Sequence, residues 1–367
     1  MPTIKPEIIS SFKEFWDRTN KDALFGITYP KSGVVSAEEA GLLKPWMEGQ
    51  AEWIFARSVL YAHKTGDITA ITDALDIMEH NLNQEEYAGV GYPIVSLDTG
   101  AGCIAGFITE HARYYNQTVW YELPQPWDYS KILSIKPDHT TDFAKVTMEA
   151  VSLAANRFKG KAILAPLDLG GLADILSSLR RTDGIMYDMY DNPDEVKESL
   201  RLIYSIWMNF HNQMIKIMEP ANEGLYTSWT RVLSDNPYFP SQCDANALIS
   251  PQLFDEFFWP TLSDEFSVFT KTLYHLDGSG QIPHLDTLFT NPSLRIIQWV
   301  PEPGTSHFDP QYFPLYNKII ANDRGIVFNC NTFSLEKMKK FFEIFPREPF
   351  YITAWAKDYE EAMGIIH

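Results

Sequence analysis

Short apolar runs that read as strands alternate with helical segments from about residue 90 onward, and this alternation constrains the fold more than any other feature. Asn192-Pro193, followed by Asp194 and Glu195, has the pattern of an N-cap, a first-turn proline and an acidic first turn. Strands that alternate with helices pair in parallel, so about eight units predict an α/β fold, a closed (β/α)8 TIM barrel. An open doubly wound sheet is the alternative. Predicted strands cover residues 92–97, 118–121, 162–169, 224–229, 271–276, 294–300, 325–329 and 349–354, and further helices are predicted to begin at Ser250-Pro251 and Ser334.

Residues 1–90 form a different, mainly helical region. Ser36-Ala37-Glu38-Glu39 has the form of a capping box that begins a helix, and an extended run at residues 24–29 interrupts the region. No low-complexity linker separates it from the remainder. We therefore predict an N-terminal helical elaboration, residues 1–90, packed on a barrel formed by residues 91–367.

Charge and composition exclude several classes of function. The formal net charge is −18 and no basic cluster is present, which disfavours nucleic-acid and anionic-membrane partners. No stretch approaches the roughly 18 apolar residues of a membrane span, and the N-terminus lacks the apolar segment of a secretory signal, so a cytoplasmic protein is expected. Neither a dinucleotide-binding glycine motif nor a phosphate-binding loop is found.

The clearest chemical signal is the segment Tyr274-His275-Leu276-Asp277-Gly278, in which a predicted strand ends in an imidazole and a carboxylate. Residues two apart in a strand point to the same face, so His275 and Asp277 can contact one ligand. Asp277 could instead cap the helix that follows. Position at the carboxyl end of a barrel strand favours the functional interpretation.

Other polar residues follow the predicted strands, and a barrel would bring them to the same rim. Asp98 and Asp168 could equally cap glycine turns, and Cys243 could be a buried small hydrophobe. These residue types could bind a divalent metal ion that polarises a heteroatom of the substrate. They could also transfer protons to or from a substrate carbon, and the spacing of the residues does not distinguish the two mechanisms. Its members are Asp98, Asp168, Trp229, Cys243, Asp244, His275, Asp277, His284, Gln298 and Trp299.

Several segments between residue 90 and the end of the chain together match the pattern of one known family. They are Tyr92-Pro93 through Asp98-Thr99-Gly100, Leu169 to Leu176 with Leu179-Arg180, Tyr187-Asp188 through Val196, Gln242-Cys243-Asp244, Ser250-Pro251 with Phe254 and Pro260, Tyr274 to Gly278, His284-Leu285-Asp286 and Ile297 to Pro301. In these segments the chain resembles the uroporphyrinogen decarboxylase superfamily, in particular its divergent branch related to corrinoid-dependent methyltransferases. The resemblance implies a TIM barrel with a funnel-shaped site at the carboxyl ends of the strands.

Two departures from that family bear on function. The N-terminal region lacks the arginine-rich segment with which true uroporphyrinogen decarboxylases grip a carboxylated porphyrinogen, and the chain is acidic. Family methyltransferases hold zinc through a His-x-Cys pair and a later cysteine. Here the pair reads His275-Leu276-Asp277, and residues 350–356 contain no cysteine. A carboxylate ligand leaves zinc harder and suits an ether or amine leaving group.

The resemblance thus implies a zinc-assisted demethylase that transfers a methyl group from a small methoxylated or N-methylated compound to a corrinoid protein. His275 and Asp277 would bind zinc, with Asp244 or Cys243 as third ligand; the candidate catalytic residues are His275, Asp277 and Asp98. A homodimer is a further candidate assembly. The alternative enzyme is a metal-free decarboxylase of a carboxylated tetrapyrrole or aromatic acid, using Asp98 and His275; a non-catalytic tetrapyrrole carrier is a third class. The expected substrate-binding residues are Tyr274, His284, Gln298, Trp299, Asp168 and Trp229.

Overall fold

A seven-stranded, mostly parallel sheet forms the centre of this mixed α/β structure, a computed structural model that describes residues 4–115, 118–330 and 333–367. Its strand order is β2-β1-β11-β10-β9-β8-β7, and only the β1–β2 pair is antiparallel. Two smaller sheets accompany it, a parallel β3–β6 pair and an antiparallel β4–β5 pair. The strands are β1 (Leu24–Pro30), β2 (Glu85–Gly89), β3 (Ile94–Ser96), β4 (Arg113–Tyr115), β5 (Thr118–Trp120), β6 (Ile163–Ala165), β7 (Pro240–Ser241), β8 (Thr272–Asp277), β9 (Leu294–Val300), β10 (Gly325–Cys330) and β11 (Phe350–Trp355).

The predicted helix starts are confirmed where capping residues mark them. Pro193 is the first residue of the long helix α9, and the Ser250 and Ser334 hydroxyls accept backbone N–H bonds at the starts of α10 and α14. A π-helical turn, Phe254–Phe258, joins α10 to α11. The α-helices are α1 (Pro6–Asp17), α2 (Ile54–Thr65), α3 (Thr69–Leu82), α4 (Cys103–Thr109), α5 (Tyr129–Leu133), α6 (Asp142–Phe158), α7 (Leu172–Arg180), α8 (Thr182–Asp191), α9 (Pro193–Met218), α10 (Pro251–Leu253), α11 (Trp259–Ser267), α12 (Leu285–Leu288), α13 (Phe313–Ala321), α14 (Leu335–Phe342) and α15 (Tyr359–Ile366).

Two strand predictions differ from the structure. The run at 224–229 forms no strand and contributes only an isolated antiparallel bridge between Tyr226 and Ser234. The run at 118–121 becomes β5, which pairs with β4 outside the parallel sheet. Both runs are apolar enough to be extended, but a strand also needs a partner at the right distance, which local sequence does not specify.

The N-terminal region contributes strands as well as helices. β1 lies inside the main sheet between β2 and β11, and the register pairs Thr28 with Trp355. The capping-box bonds between Ser36 and Glu39 form, yet only a turn follows, so the helix predicted there is wrong. A division of the chain at residue 90 stays a prediction, although β1 and β2 share a sheet with the C-terminal strands.

The sheet is covered by apolar packing on both faces, as expected for parallel strands. One cluster lies under the helices and includes Tyr274, Leu276 and Trp299. The other contains alternate residues of the strands and the buried side of α1. Its strand residues are Leu24, Ile163, Leu273, Ile296, Val327 and Tyr351. The α/β class is therefore confirmed, whereas closure into a barrel stays a prediction. Among the described residues, no helix combines the length and apolarity needed to cross a bilayer.

Candidate active site

A cavity of about 320 Å³ opens where strands β3, β6 and β8 end. Because these strands end at the cavity, the residues that follow them supply its polar wall. Six of the residues singled out from sequence lie on this wall: Asp98, Asp168, Trp229, Asp244, His275 and Asp277. The remaining lining residues are Trp53, Ser96, Ala101, Thr118, Pro166 and Gln242.

Asp244, His275 and Asp277 form a cluster that could hold a metal ion. Each offers one ligand atom, and the three atoms lie within 4.8 Å of one another. His275 and Asp277 share a face of β8 because they are two residues apart, and Asp244 reaches them from the turn Asp244–Leu248. One imidazole nitrogen and two carboxylates suit zinc with an open coordination position. The donor set therefore fits the predicted metal, whose identity stays a prediction.

Cys243, the other candidate for third ligand, does not join this cluster. Its side chain is 3% exposed and lies beside Leu172, Leu200 and Phe258. Burial raises the pKa of its thiol well above the ordinary value, with Asp174 and Asp244 adding to the effect, so the thiolate that binds a metal is disfavoured. Asp244 is thus the third ligand that the geometry supports.

Asp244 is held in place from two sides. Both carboxylate oxygens of Asp174 accept backbone N–H bonds at the start of the turn, from Asp244 at 3.0 Å and Ala245 at 2.8 Å. Gln281 Nε2 donates to Asp244 Oδ1 at 3.0 Å, and the Tyr274 hydroxyl donates to Gln281 Oε1. These contacts fix the ligand carboxylate before any ion binds.

A chain of hydrogen bonds assigns the protonation of His275. Asn329 Nδ2 donates to the backbone carbonyl of Thr230, which can only accept, so Asn329 Oδ1 must face Gln298 Nε2, at 2.7 Å. Gln298 Oε1 then faces His275 Nδ1 at 2.7 Å and accepts a hydrogen bond from the Nδ1–H group. In the neutral ring, Nε2 keeps its lone pair free for a metal ion.

Asp98 and Asp168 are turn caps and cavity residues at the same time. Asp98 Oδ1 accepts from Gly100 N at 2.7 Å, while Asp168 Oδ1 accepts from Gly170 N at 2.9 Å and from Gln242 Nε2. Burial, reinforced by Asp98, raises the pKa of Asp168 to about 7. Burial also raises the pKa of Asp98. The pair can therefore hold a proton near neutral pH.

The structure places four predicted residues away from the cavity. Tyr274 and Trp299 are fully buried on the helix-facing side of β8 and β9. Each is adjacent in its strand to a residue that points to the other face, His275 and Gln298 respectively, and adjacent residues in a strand point to opposite faces. His284 is also fully buried: its Nε2–H donates to the Asn246 carbonyl, and its ring packs on Phe254. Cys243 is the fourth. Gln298 stands behind His275 and orients it without lining the cavity.

Several functional positions were not found from the sequence. Gln242 lies in a segment singled out as Gln242-Cys243-Asp244 without a role for its amide, and it holds Asp168. Asn329, near the end of predicted strand 325–329, anchors the hydrogen bonds to His275, and its strand-end position could have been a signal. Trp53 reaches the cavity from the helical N-terminal region, for which no local pattern gives a signal.

The cavity is strongly acidic. Its described lining includes four aspartates and no lysine or arginine. Burial also raises the pKa of Asp277, an effect that His275 opposes and Asp244 and Glu302 reinforce. Such a site attracts cations and disfavours substrates that carry several carboxylates.

Comparison with known proteins adds no family assignment. No protein-family model matches the chain, and no curated protein matches it significantly. The resemblance to the uroporphyrinogen decarboxylase superfamily therefore stays a prediction, and function must be argued from the site.

Proposed function

We propose that this protein is a metal-assisted methyltransferase of the demethylase type, within the uroporphyrinogen decarboxylase superfamily. It would move a methyl group from a small methoxylated or N-methylated compound to a corrinoid carried by a partner protein. The observation that carries the proposal is the convergence of Asp244, His275 and Asp277 at one point of the cavity wall. A cytoplasmic location and a homodimer belong to the same proposal.

Different residues of the site would have different roles in such a reaction. His275, Asp244 and Asp277 would hold zinc, which when bound supplies a Lewis acid for the heteroatom that carries the methyl group. Gln298 and Gln281 keep two of these ligands oriented. Trp229, whose ring lies edge-on to the His275 ring at 6.2 Å between centroids, excludes water from that side.

Asp168 is placed to protonate the leaving group. When the methyl group passes to the acceptor, the electron pair of the carbon–oxygen or carbon–nitrogen bond stays on the heteroatom, which then needs a proton. A carboxyl group with a pKa of about 7 is protonated in a large fraction of molecules at neutral pH, and Asp168 lines the same cavity as His275.

A metal-free decarboxylase is the second candidate function. The observation that favours it is the Asp98–Asp168 pair, which could deliver a proton to the carbon that loses carbon dioxide. The acidic cavity argues against it, because a carboxylated substrate would approach four aspartates and no cationic lining residue. The methyl-transfer proposal therefore ranks first.

We further propose that the strands close into an eight-stranded barrel. The apolar cluster on the inner face supports closure, since it joins Ile163 of the separate β3–β6 pair to Leu24 and Tyr351 of the main sheet. Cavity residues also come from both sheets, with Asp98 and Asp168 following β3 and β6, and His275 on β8. A closed arrangement explains both facts with one geometry.

The test compares two His-Leu-Asp segments of the same chain. His275→Gln with Asp277→Asn removes two metal ligands, while His284→Gln with Asp286→Asn makes the same changes outside the cavity. After expression with added zinc, elemental analysis should find about one zinc per chain in the wild type and the second variant, and little in the first. Methyl transfer from methoxylated and N-methylated compounds to cob(I)alamin should follow the metal content.

Two results would contradict the proposal. One is full demethylation by protein freed of metal with a chelator. The other is the absence of metal from all three proteins together with turnover of a carboxylated aromatic acid or pyrrole, which would establish the decarboxylase instead.

A further inference from the structure

A second and larger cavity, here called the outer groove, lies beside the candidate active site. Its volume is about 1170 Å³, against about 320 Å³ for the inner cavity. The inner cavity is at the small end for an organic ligand, whereas the outer groove is large enough for a multi-ring molecule. Its lining comes from the end of β5 and the segment after it, from α7 and α8, and from the turn that begins at Asp244. The described lining residues are Trp120, Glu122, Leu123, Asp174, Ser177, Ser178, Arg181, Thr182, Asp183, Met186, Tyr187, Tyr190, Asp244, Ala245 and Leu248.

Asp244 connects the two cavities. It is the one described residue that lines both, and in the inner cavity it belongs to the cluster with His275 and Asp277. Asp174 forms part of the groove and fixes Asp244 through the backbone bonds at 2.8 and 3.0 Å. A ligand in the groove would therefore have one end beside the reacting centre.

Several large apolar side chains are exposed to solvent around the groove. Tyr187 and Tyr190 of α8 are 71% and 74% exposed, and Leu248 on the opposite turn is 69% exposed. Trp120 adds a partly exposed indole. Large apolar side chains clustered around a concavity mark a binding surface, and aromatic rings favour a flat partner.

The charge of the groove restricts the ligand further. Glu122, Asp174, Asp183 and Asp244 line it, and its one described cation, Arg181, lies 3.5 Å from the Asp183 carboxylate. An anionic ligand would meet a net negative wall with its only cation already paired. An uncharged ligand meets no such penalty.

We propose that the outer groove binds the body of the methyl donor, and that this donor is an uncharged, planar aromatic ether with two or more rings. Its methoxy group would reach the inner cavity past Asp244, while its rings pack against Tyr187, Tyr190 and Leu248. This inference rests on the proposed methyl transfer and specifies its substrate class.

The test is calorimetric binding of three probes to the full chain. 7-Methoxycoumarin is uncharged with two fused rings, 4-methoxyphenol is uncharged with one ring, and 6-methoxy-2-naphthoate has two rings and a negative charge. Wild-type protein should bind 7-methoxycoumarin about tenfold more tightly than either of the other two, because only this probe gains ring contacts without charge repulsion.

Matched variants localise the binding. Tyr190→Ala with Leu248→Ala removes two exposed groove side chains and should weaken 7-methoxycoumarin binding about tenfold while leaving 4-methoxyphenol binding unchanged. Tyr359→Ala with Ile344→Ala removes an equally exposed aromatic and aliphatic pair outside the groove lining and should change neither. Since all four side chains are exposed, we expect both double variants to fold as the wild type does, so their binding can be compared directly.

The inference is overturned if 6-methoxy-2-naphthoate binds as tightly as 7-methoxycoumarin, or if the two double variants behave alike. Its failure is distinguishable from failure of methyl transfer, because binding is measured without an acceptor and on chelator-treated as well as zinc-loaded protein. Selective binding of 7-methoxycoumarin without zinc and without methyl transfer would support the groove and remove the proposed function.

Discussion

At the scale of single residues, the geometry of the candidate site depends on side chains that hold the candidate metal ligands in place. His275 is presented with Nε2 free because Gln298 and Asn329 transmit the direction of a hydrogen bond from the Thr230 carbonyl. Asp244 is presented because Asp174 and Gln281 hold it. These supporting contacts decide the geometry and tautomer on which metal affinity depends.

The residue-scale prediction concerns Gln298. Gln298→Leu removes the acceptor for the His275 Nδ1 proton, so we expect zinc affinity to fall about 10- to 100-fold. Gln213→Leu makes the same change at an exposed glutamine outside the cavity lining and should retain affinity. Competition with a chromophoric chelator measures the effect. Unchanged zinc affinity in Gln298→Leu would show that the hydrogen bond does not orient the ligand.

At the scale of elements, strand alternation decides which residues are functional. His275 and Asp277 face the cavity, while Tyr274 and Leu276 on the same strand pack under the helices. Helix α11 covers this outer side and places Glu265 there, 1% exposed, with Oε2 lacking a partner among the described residues. Burial, with a contribution from Asp174, raises the pKa of Glu265 to about 8.

The prediction for helix α11 is that Glu265 makes the free energy of unfolding depend on pH. A carboxyl whose pKa is raised on folding favours the folded state at low pH, and this contribution is lost as pH rises toward about 8. Glu265→Gln removes the ionisation, so its stability relative to wild type should improve between pH 5 and 8, by at most about 1.4 kcal/mol per pH unit. Urea unfolding at several pH values measures this.

A matched control separates this effect from the general charge of the chain. Asp264→Asn changes the exposed neighbour on the same helix and should leave the dependence of stability on pH close to that of the wild type. If Glu265→Gln and wild type show parallel pH profiles, Glu265 is not a buried carboxylic acid in solution.

At the scale of the whole molecule, the sheet draws on both ends of the chain. β1 pairs with β11 in parallel, and Phe12 of α1 packs edge-on against Tyr351 of β11 at 5.0 Å between centroids. Trp53 from the N-terminal region lines the cavity. Residues 1–90 therefore contribute to the central sheet and to the site together.

A fragment of residues 91–367 tests this dependence. Without β1 and α1, β11 loses one of its two neighbouring strands and the apolar cluster around Tyr351 is exposed, so we expect no cooperative unfolding and no near-ultraviolet circular dichroism of a packed core. Co-expression with residues 1–90 should restore both signals. A fragment that unfolds cooperatively by itself, as the full chain does, would instead support an independent C-terminal domain.

The parts that could be predicted are those set by local physics. Proline and serine caps located the starts of α9, α10 and α14, and the 294–300 run became β9 with the same bounds, because capping and strand-forming apolar runs act within a few residues. The spacing of His275 and Asp277 placed both on one face of β8. In contrast, Trp299 was expected beside Gln298 in the pocket, although neighbours in a strand face opposite ways.

The sequence by itself determined the α/β class, the main capped helices and the pair of candidate ligand side chains at the end of β8, since each follows from periodicity or capping over short stretches. Tertiary structure decided that Asp244 and not Cys243 joins that pair, that Asn329 and Gln298 set the His275 tautomer, and that β1 lies inside the sheet. These features join residues 23 to more than 300 positions apart, and contacts at such separations depend on the packing of the whole chain.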